Sequence, residues 1–584
     1  MSMMESKSKK MMTPTSITPN AKSFWRSDSK VPVITYKMSY PTANGLNYSS
    51  NGNNKIQIQI PMDCEFIQPS DSYLKFKFDY TFNINHASAD PNPLGNCNQR
   101  LQLIPELGAN AIIKNLIIRD GRGTTLESIT NANSLSAIKL MYDDQPQRRN
   151  KRCSTEGCVD YDPRNRMGGS THLTQKLRSY NISTNPYFDD TTAFLKKSVS
   201  VCIPFHCSGL LGEINKRLLP VSLLGGLEIF IELEEPRYVM RGIRSAVSTQ
   251  IEGDKHYLPK LKDPFADDGT EYTTLKLQNY FPYNDLNSLP FCIGEMIGIT
   301  DEADLTGLPE LIGKITAIAM NGADIEITYV GVNANSKFLP SQAYAAGSLI
   351  SSCAIYNADT TLSLNYTISN VEMIVQKCEV DPRFSNAMIA ALKEGGNIEY
   401  PFLSYQNYQR TVNNNELLPT IDLPLQNSMA KSILYQPTID VSSLATCLQN
   451  FRNHTTAYFK LCGNTLDASK YGVFIGGRQN PDRDVDLSRT SGDGSKGYSQ
   501  RALDQLTHAL TQADIAPTNF LTVKNNFVIG KPLSLGAGSA DIRQQDLQLQ
   551  ITYDTVSTTN KNFNNFVAHT RRLVFMDGSA KVVL

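Results

Sequence analysis

Residues 197–238 read KSVSVCIPFHCSGLLGEINKRLLPVSLLGGLEIFIELEEPRY, and the two ends of this stretch decide the fold. At its start Val199, Val201 and Ile203 alternate with polar or small residues; at its end Leu227, Ile229, Ile231 and Leu233 interleave with Glu228, Glu232 and Glu234. Apolar residues at period two with acids between them describe strands that bury one face and wet the other. Pro220 and Pro236 bracket the second strand, since proline cannot donate to a ladder. The residues between the strands, after Pro204, form a loop carrying Gly209 and Gly212. Gly225-Gly226 suits a bulge or the close approach of another backbone.

The same alternation extends outward. Ile56, Ile58 and Ile60 alternate with Gln57 and Gln59 up to Pro61, and residues 73–84 place Leu74, Phe76, Phe78, Tyr80, Phe82 and Ile84 on one face. Aromatic and β-branched residues at that period predict strands. Residues 112–120 predict another, running into a turn at Asp120-Gly121. The segment 124–129 follows, then a short helix with Leu135, Ile138 and Tyr142 on one stripe. Residues 143–190 are polar and read as a long loop.

After Tyr238 the periodicity dissolves through 241–270 and restarts at 272–277, 291–299, 312–319, 325–330 and 362–375. Three helices are expected in this half. Asp381-Pro382 caps the first, Phe384, Met388 and Leu392 form its stripe and Gly395-Gly396 stops it. The second carries Leu444, Cys447, Leu448 and Phe451, the third Leu503, Leu506 and Leu510. Strands at 546–553, 571–575 and 580–584 end the chain.

At 584 residues the chain exceeds one ordinary core. Lys+Arg and Asp+Glu are 56 each, so the basic excess of a phosphate-neutralising coat is absent overall. The first thirty residues differ. Lys7, Lys9, Lys10, Lys22, Arg26 and Lys30 stand against Glu5 and Asp28. With Pro14, Pro19 and little apolar periodicity, residues 1–30 read as a flexible arm, which Phe24 and Trp25 at its end are expected to anchor against the first folded unit of the chain or a neighbouring subunit.

Signatures of chemistry are few. No GxxxxGK[ST], GxSxG or HExxH occurs, and the 492–497 run GDGSKG is a loop by composition. Cys153 and Cys158 have no second thiol pair at zinc spacing, and His206-Cys207 lies far off in sequence. Eleven scattered cysteines suit reduced thiols rather than a disulfide framework. No metal, no cofactor and no catalytic residue is therefore expected. His508 falls opposite its helix's apolar stripe, a solvated position.

The order of Pro204, Gly209, Pro220, Gly225 and Gly226 before an Ile/Glu strand resembles a segment of the double jelly-roll major capsid proteins of polinton-like viruses, virophages and adintoviruses. So do the strand into Asp120-Gly121, the Ile-Ser-Asn-Val-Glu-Met run at 368–373 and the Tyr-Gly-Val-Phe-Ile-Gly-Gly-Arg run at 471–478. The resemblance implies an all-β fold of two tandem jelly-roll sandwiches with long loops and a few short helices. Its divisions are expected as an arm at 1–30, a first jelly roll at 31–245, a linker at 246–270 and a second jelly roll at 271–584. It further implies a homotrimeric capsomer in an icosahedral virion, synthesised inside a host cell and meeting neighbouring capsomers, penton and minor capsid proteins. The arm is expected to touch an internal membrane or the genome, and the host receptor is unknown. The alternative is a double jelly-roll glycan-binding protein or glycoprotein amidase, which expects a monomer.

Overall fold

The structure of the protein, a computed structural model, describes residues 33–85, 100–103, 107–142, 152, 155–156, 194–243 except 213, 214 and 216, 259–278, 296–301, 310–353 except 323 and 332–334, 361–424, 429–439, 468–487, 499–516, 527–533, 540–554 except 544, 560–576 and 579–583. The arm at 1–30, the helix expected around Leu444–Phe451, Cys153, Cys158 and most of the 143–190 loop lie outside them.

The chain begins with β1 (Val33–Pro41), β2 (Asn47–Ser49), β3 (Lys55–Ile60), β4 (Phe66–Asn85) and β5 (Arg100–Leu103). It continues with β6 (Ile113–Asp120), β7 (Thr125–Thr130), helix α1 (Ala132–Tyr142) and β8 (Phe194–Ile203). Then come β9 (Leu219–Pro220), α2 (Val221–Leu224), β10 (Leu227–Leu233), α3 (Pro236–Val239) and β11 (Met240–Ile243). The inward residues of β10 are at most 3% exposed, as its alternation requires, and each contributes about 1.5–3 kcal/mol by burial. One sheet has the order β3-β10-β6-β7.

The facing sheet needs a strand from far along the chain. Its order is β1-β17-β4-β8, where β17 (Thr361–Val380) pairs antiparallel with β1 on one side and β4 on the other. These two sheets are the two halves of one eight-stranded jelly roll, with β17 its last strand. The first sandwich therefore runs to Val380. The division expected at 246–270 falls inside it, and the run at 368–373 belongs to the first roll rather than the second. Loss and restart of period two marks an insertion as readily as a boundary, because the pattern is silent about which sheet the next strand joins.

That insertion holds β12 (Thr274–Leu277), β13 (Met296–Thr300), β14 (Glu310–Asn321), β15 (Asp324–Gly331) and β16 (Leu349–Cys353), an antiparallel sheet of order β12-β15-β14-β13-β16. Its core is separate from the main one and is built on Leu277, Ile297, Ile299, Ile327 and Phe338.

After β17, α4 (Pro382–Lys393) starts where expected. The Asp381 side chain accepts from the Arg383 backbone N–H at 2.8 Å, Met388 and Leu392 are buried, and Gly395 sits at φ +80° beyond the end. The second roll follows with β18 (Ile398–Val412), β19 (Thr420–Leu423), β20 (Ala430–Ile439), β21 (Ala468–Ile475), β22 (Arg478–Gln479) and β23 (Val485–Asp486). It is completed by α5 (Gln500–Gln512), β24 (Ile529–Pro532), β25 (Leu547–Tyr553), β26 (Lys561–Met576) and β27 (Ser579–Val583). Its sheets, β18-β26-β20-β24 and β19-β25-β21-β22, repeat the strand order of the first roll. In α5, Leu506 and Leu510 face inward while His508 is exposed beside Asp504, 3.5 Å away. A single hydrophobic cluster runs through both rolls.

The registers give the first roll a direction. Val33 pairs with Val380 and Phe66 with Cys378, so the chain enters at the end where β17 leaves and α4 begins. Connections at this near end are 61–65, 121–124 and 204–226, none longer than 23 residues. At the far end 42–54 is short, but 86–112, 131–193 and 234–360 are longer than any at the near end.

Because the inserted sheet has its own core, Ile327→Asp should unfold it alone. The local cost of the buried charge is about 3–5 kcal/mol. Hydrogen exchange should lose protection at 274–353 and keep it in β4, β10 and β17; loss in those strands as well would contradict the separation.

Candidate functional site at the seam between the sandwiches

The expected motif residues converge at the near end of the first roll. The Asp120 carboxylate, 1% exposed, accepts the backbone N–H groups of Arg122 at 3.1 Å and Thr124 at 2.6 Å, shaping the turn. Gly121 then packs so tightly that a Cβ there would lie 2.0 Å from the Gly225 carbonyl oxygen. Its N–H donates to the carbonyls of Leu224 and Gly226. Gly225 and Gly226 take φ +71° and +109°, and Pro220 pairs opposite Phe66 on β4. Pro204 opens the 204–217 loop, with its carbonyl accepting from the His206 N–H.

Gly209 meets the second roll. A Cβ on it would stand 1.3 Å from the carbonyl oxygen of Leu403 in β18, so at this point backbone touches backbone. Around the contact lies a buried polar seam. Glu127 of β7 is fully buried, and its carboxylate accepts from the Ser208 hydroxyl, the N–H groups of Gly209 at 3.0 Å and Leu210 at 3.3 Å, and the Ser404 hydroxyl of β18 at 2.9 Å. Four donors match the lone-pair capacity of an ionised carboxylate.

The free edge of β7 lies along β18 with no backbone ladder between them, and side chains of the second roll serve its carbonyls. Arg571 Nη1 donates to Leu126 O at 2.8 Å, and Asn407 Nδ2 to Thr130 O at 3.1 Å. Asn131 donates to Asn564 at 2.7 Å, Asn215 to the Tyr400 hydroxyl at 2.9 Å, and Arg217 to the Pro401 carbonyl. Asn407 and Thr130 mark the exposed rim, while the other pairs take up buried or half-buried backbone and amide groups that would otherwise be left unpaired.

Two cations are held inside the seam. Lys139 of α1 is fully buried with its ammonium 4.0 Å from the Tyr405 ring centroid, and among the described residues its Nζ has no hydrogen-bond partner. Burial brings its pKa down to about 8, with Glu127 and Asp514 among the neighbours opposing the fall. Arg571 donates from Nε to His569 Nε2 at 3.1 Å, and His569 Nδ1 lies 3.2 Å from the Val567 carbonyl. These partners require a neutral imidazole protonated on Nδ1. Burial, then the Arg571 charge, pulls the His569 pKa down to about 4.

The thiol and imidazole weighed for zinc serve elsewhere. His206 Nε2 is 2.9 Å from the Glu156 carboxylate, which also accepts from Asn110 at 2.7 Å. Burial pushes the Cys207 thiol up to about 12. Among the described residues no cluster of His, Cys, Asp and Glu could hold a metal ion.

Sequence reading found Gly209 but missed Glu127, Ser404, Asn131, Asn564 and Arg571. An available signal was Glu127 itself, an acid between Leu126 and Ser128 that β7 buries together with Leu126.

No family model and no curated protein matches the sequence. Solved structures do match. The chain is similar in fold to viral major capsid proteins. The Faustovirus major capsid protein aligns over 97% of this chain and 99% of its own at 10% identity and TM-score 0.44. The mavirus major capsid protein aligns over 94% and 90% at 10% identity and TM-score 0.42, and a chain of the Sputnik virophage over 94% and 88% at 12% and 0.44. The description as a double jelly roll rests on the strand order above, and no residue role is carried across at these identities.

Removing either side of the seam should cost stability in proportion to what is left unpaired. Ser404→Ala should lose about 1 kcal/mol. Glu127→Gln, which leaves donors facing donors, should lose about 3–5 kcal/mol. Denaturant unfolding measures both, and a double-mutant cycle giving no coupling between positions 127 and 404 would contradict the bond.

His569 gives the seam a pH dependence. Its folded pKa, about 4, lies below the ordinary imidazole value near 6.5, so the unfolded chain binds the proton more readily. The stabilisation is present above about pH 6.5 and lost as pH falls through about 4. Unfolding midpoints of His569→Gln should vary less over that window than those of the native chain.

Proposed function

We propose that the protein is a viral major capsid protein, a structural subunit rather than a catalyst, that assembles as a homotrimer and tiles an icosahedral shell. The observation that carries this reading is the repeated strand order: two jelly rolls in one chain, joined along a buried seam with their neighbouring strands β7 and β18 running the same way. Threefold repetition of such a pair yields six near-equivalent blocks, a pseudo-hexagon able to meet neighbouring capsomers on every side. Pentons and minor capsid proteins would complete the shell where six-fold packing fails.

The direction of the first roll supports an inside and an outside. Long insertions at the far end suit the exterior, where a host receptor would meet them. β1 starts at the near end, so a basic arm preceding it would direct its charge toward an internal membrane or the genome, within a range of about 8 Å at physiological salt. The site of action is then the capsid of the virion, after synthesis inside the host cell.

Sedimentation of the purified protein should give a trimer whose pairwise interfaces each exceed about 2,000 Å². A stable monomer at micromolar concentration would refute the reading. Deleting residues 2–22 should leave trimers intact and impair shells in electron micrographs of expressing cells; shells in normal yield would reduce the arm to a dispensable tail.

A further inference from the structure

Eight large hydrophobic side chains stand exposed among the described residues, and Ile34, Met62 and Ile389 of these lie at the near end of the first roll. Ile34 and Met62 are each 66% exposed. They belong to segments that β17 and α4 bring together: Cys378 pairs with Thr35 of β1 on one side and with Phe66, directly after the 61–65 turn, on the other, and the Phe66 ring lies 6.4 Å from that of Phe384 in α4. Ile34 pairs in register with Glu379, two residues before the Asp381 cap of α4, which carries Ile389. The apolar surface thus spans the start of β1, the turn beneath it and the helix beyond. Its surroundings are slightly acidic, with Asp63, Glu65, Glu379 and Asp381 against Lys37, Lys377 and Arg383.

The first described residue, Val33, begins β1 one position before Ile34. Val33 lies eight positions beyond Trp25, about 26 Å of chain when extended, enough to fold back over Ile34 and Met62. Residues 22–30 carry Lys22, Arg26 and Lys30 against Asp28, the complement of the acids around the surface. Apolar bulk in this part of the arm is concentrated in Phe24 and Trp25, which bring large area at small entropic cost.

We propose that Phe24 and Trp25 of the chain's own arm seat on the apolar surface of Ile34 and Met62, with Ile389 at its edge, leaving residues 1–22 to project from the near end. The seat fixes where the arm departs. It also covers the start of β1, an edge strand whose outer backbone groups are otherwise open to pairing with another chain.

Trp25 is the only tryptophan in the sequence, so its fluorescence reports the seat directly in the native full-length protein. The expected result is an emission maximum blue-shifted from that of the denatured chain and strong protection from acrylamide. The pair Ile34→Lys and Met62→Lys should shift the emission red and raise quenching several-fold with the unfolding temperature unchanged. Met320→Lys, on an exposed position of the inserted sheet, should do neither. Native Trp25 as accessible as in the denatured chain overturns the proposal. Protection that ignores the Ile34/Met62 pair, or that vanishes when oligomers are diluted to monomers, overturns it as well. Sedimentation of the same samples separates this outcome from the capsid reading: a monomer with a protected, substitution-sensitive Trp25 retains the seat and removes the shell.

Discussion

A carboxylate taken out of water between two β-sandwiches must find donors for its lone pairs or cost several kcal/mol. Glu127 meets that demand with donors from three places: the Ser208 hydroxyl, the backbone of the 209–210 loop and Ser404 of the second roll. The consequences spread outward. The loop must bring its N–H groups to the carboxylate, which brings Gly209 against Leu403 with no room for a side chain. β18 must then lie along β7, and the unpaired edge of β7 is served by Arg571 and Asn407 instead of another strand. A polar joint of this kind contributes less net free energy than an apolar one of equal area, but it accepts a single alignment.

Much of the fold was legible because strands and helices write their burial into periodicity. β3, β4, β6 and β10 stood out by alternation, and α4 by its Asp381-Pro382 start and its Met388/Leu392 stripe. What periodicity cannot carry is partnership. β17 looks the same whether it closes the first sheet or opens a second domain, and nothing local distinguishes the two. Asp120, Gly121, Gly225 and Gly226 were recognised as turn and close-approach residues, and they do meet; that Gly209 touches the other sandwich was not visible, since its neighbour Leu403 lies 194 positions away. Glu127, Asn131 and Asn564 read as ordinary polar residues on strands or beside them. Their burial follows from the packing of one roll on the other, an arrangement no single segment encodes.

The place of β17 in the centre of its sheet also bears on how the chain folds. β1 pairs with no other strand among the described residues, and β4 waits on β17 for one of its two flanks. More than a hundred residues separate Ile243 from the end of β17, so at ordinary translation speeds an incomplete sheet persists on the order of ten seconds after β11 has emerged. During that interval the apolar faces of β1 and β4 have no closing strand, while the inserted sheet, with its local antiparallel contacts, is able to form first. Until β17 is made, the open edges of β1 and β4 are free to pair with another chain, a hazard where identical chains are made side by side. Completion of residue 380 is the event that ends the exposure, and the second roll, whose alignment depends on the first, is synthesised only after it.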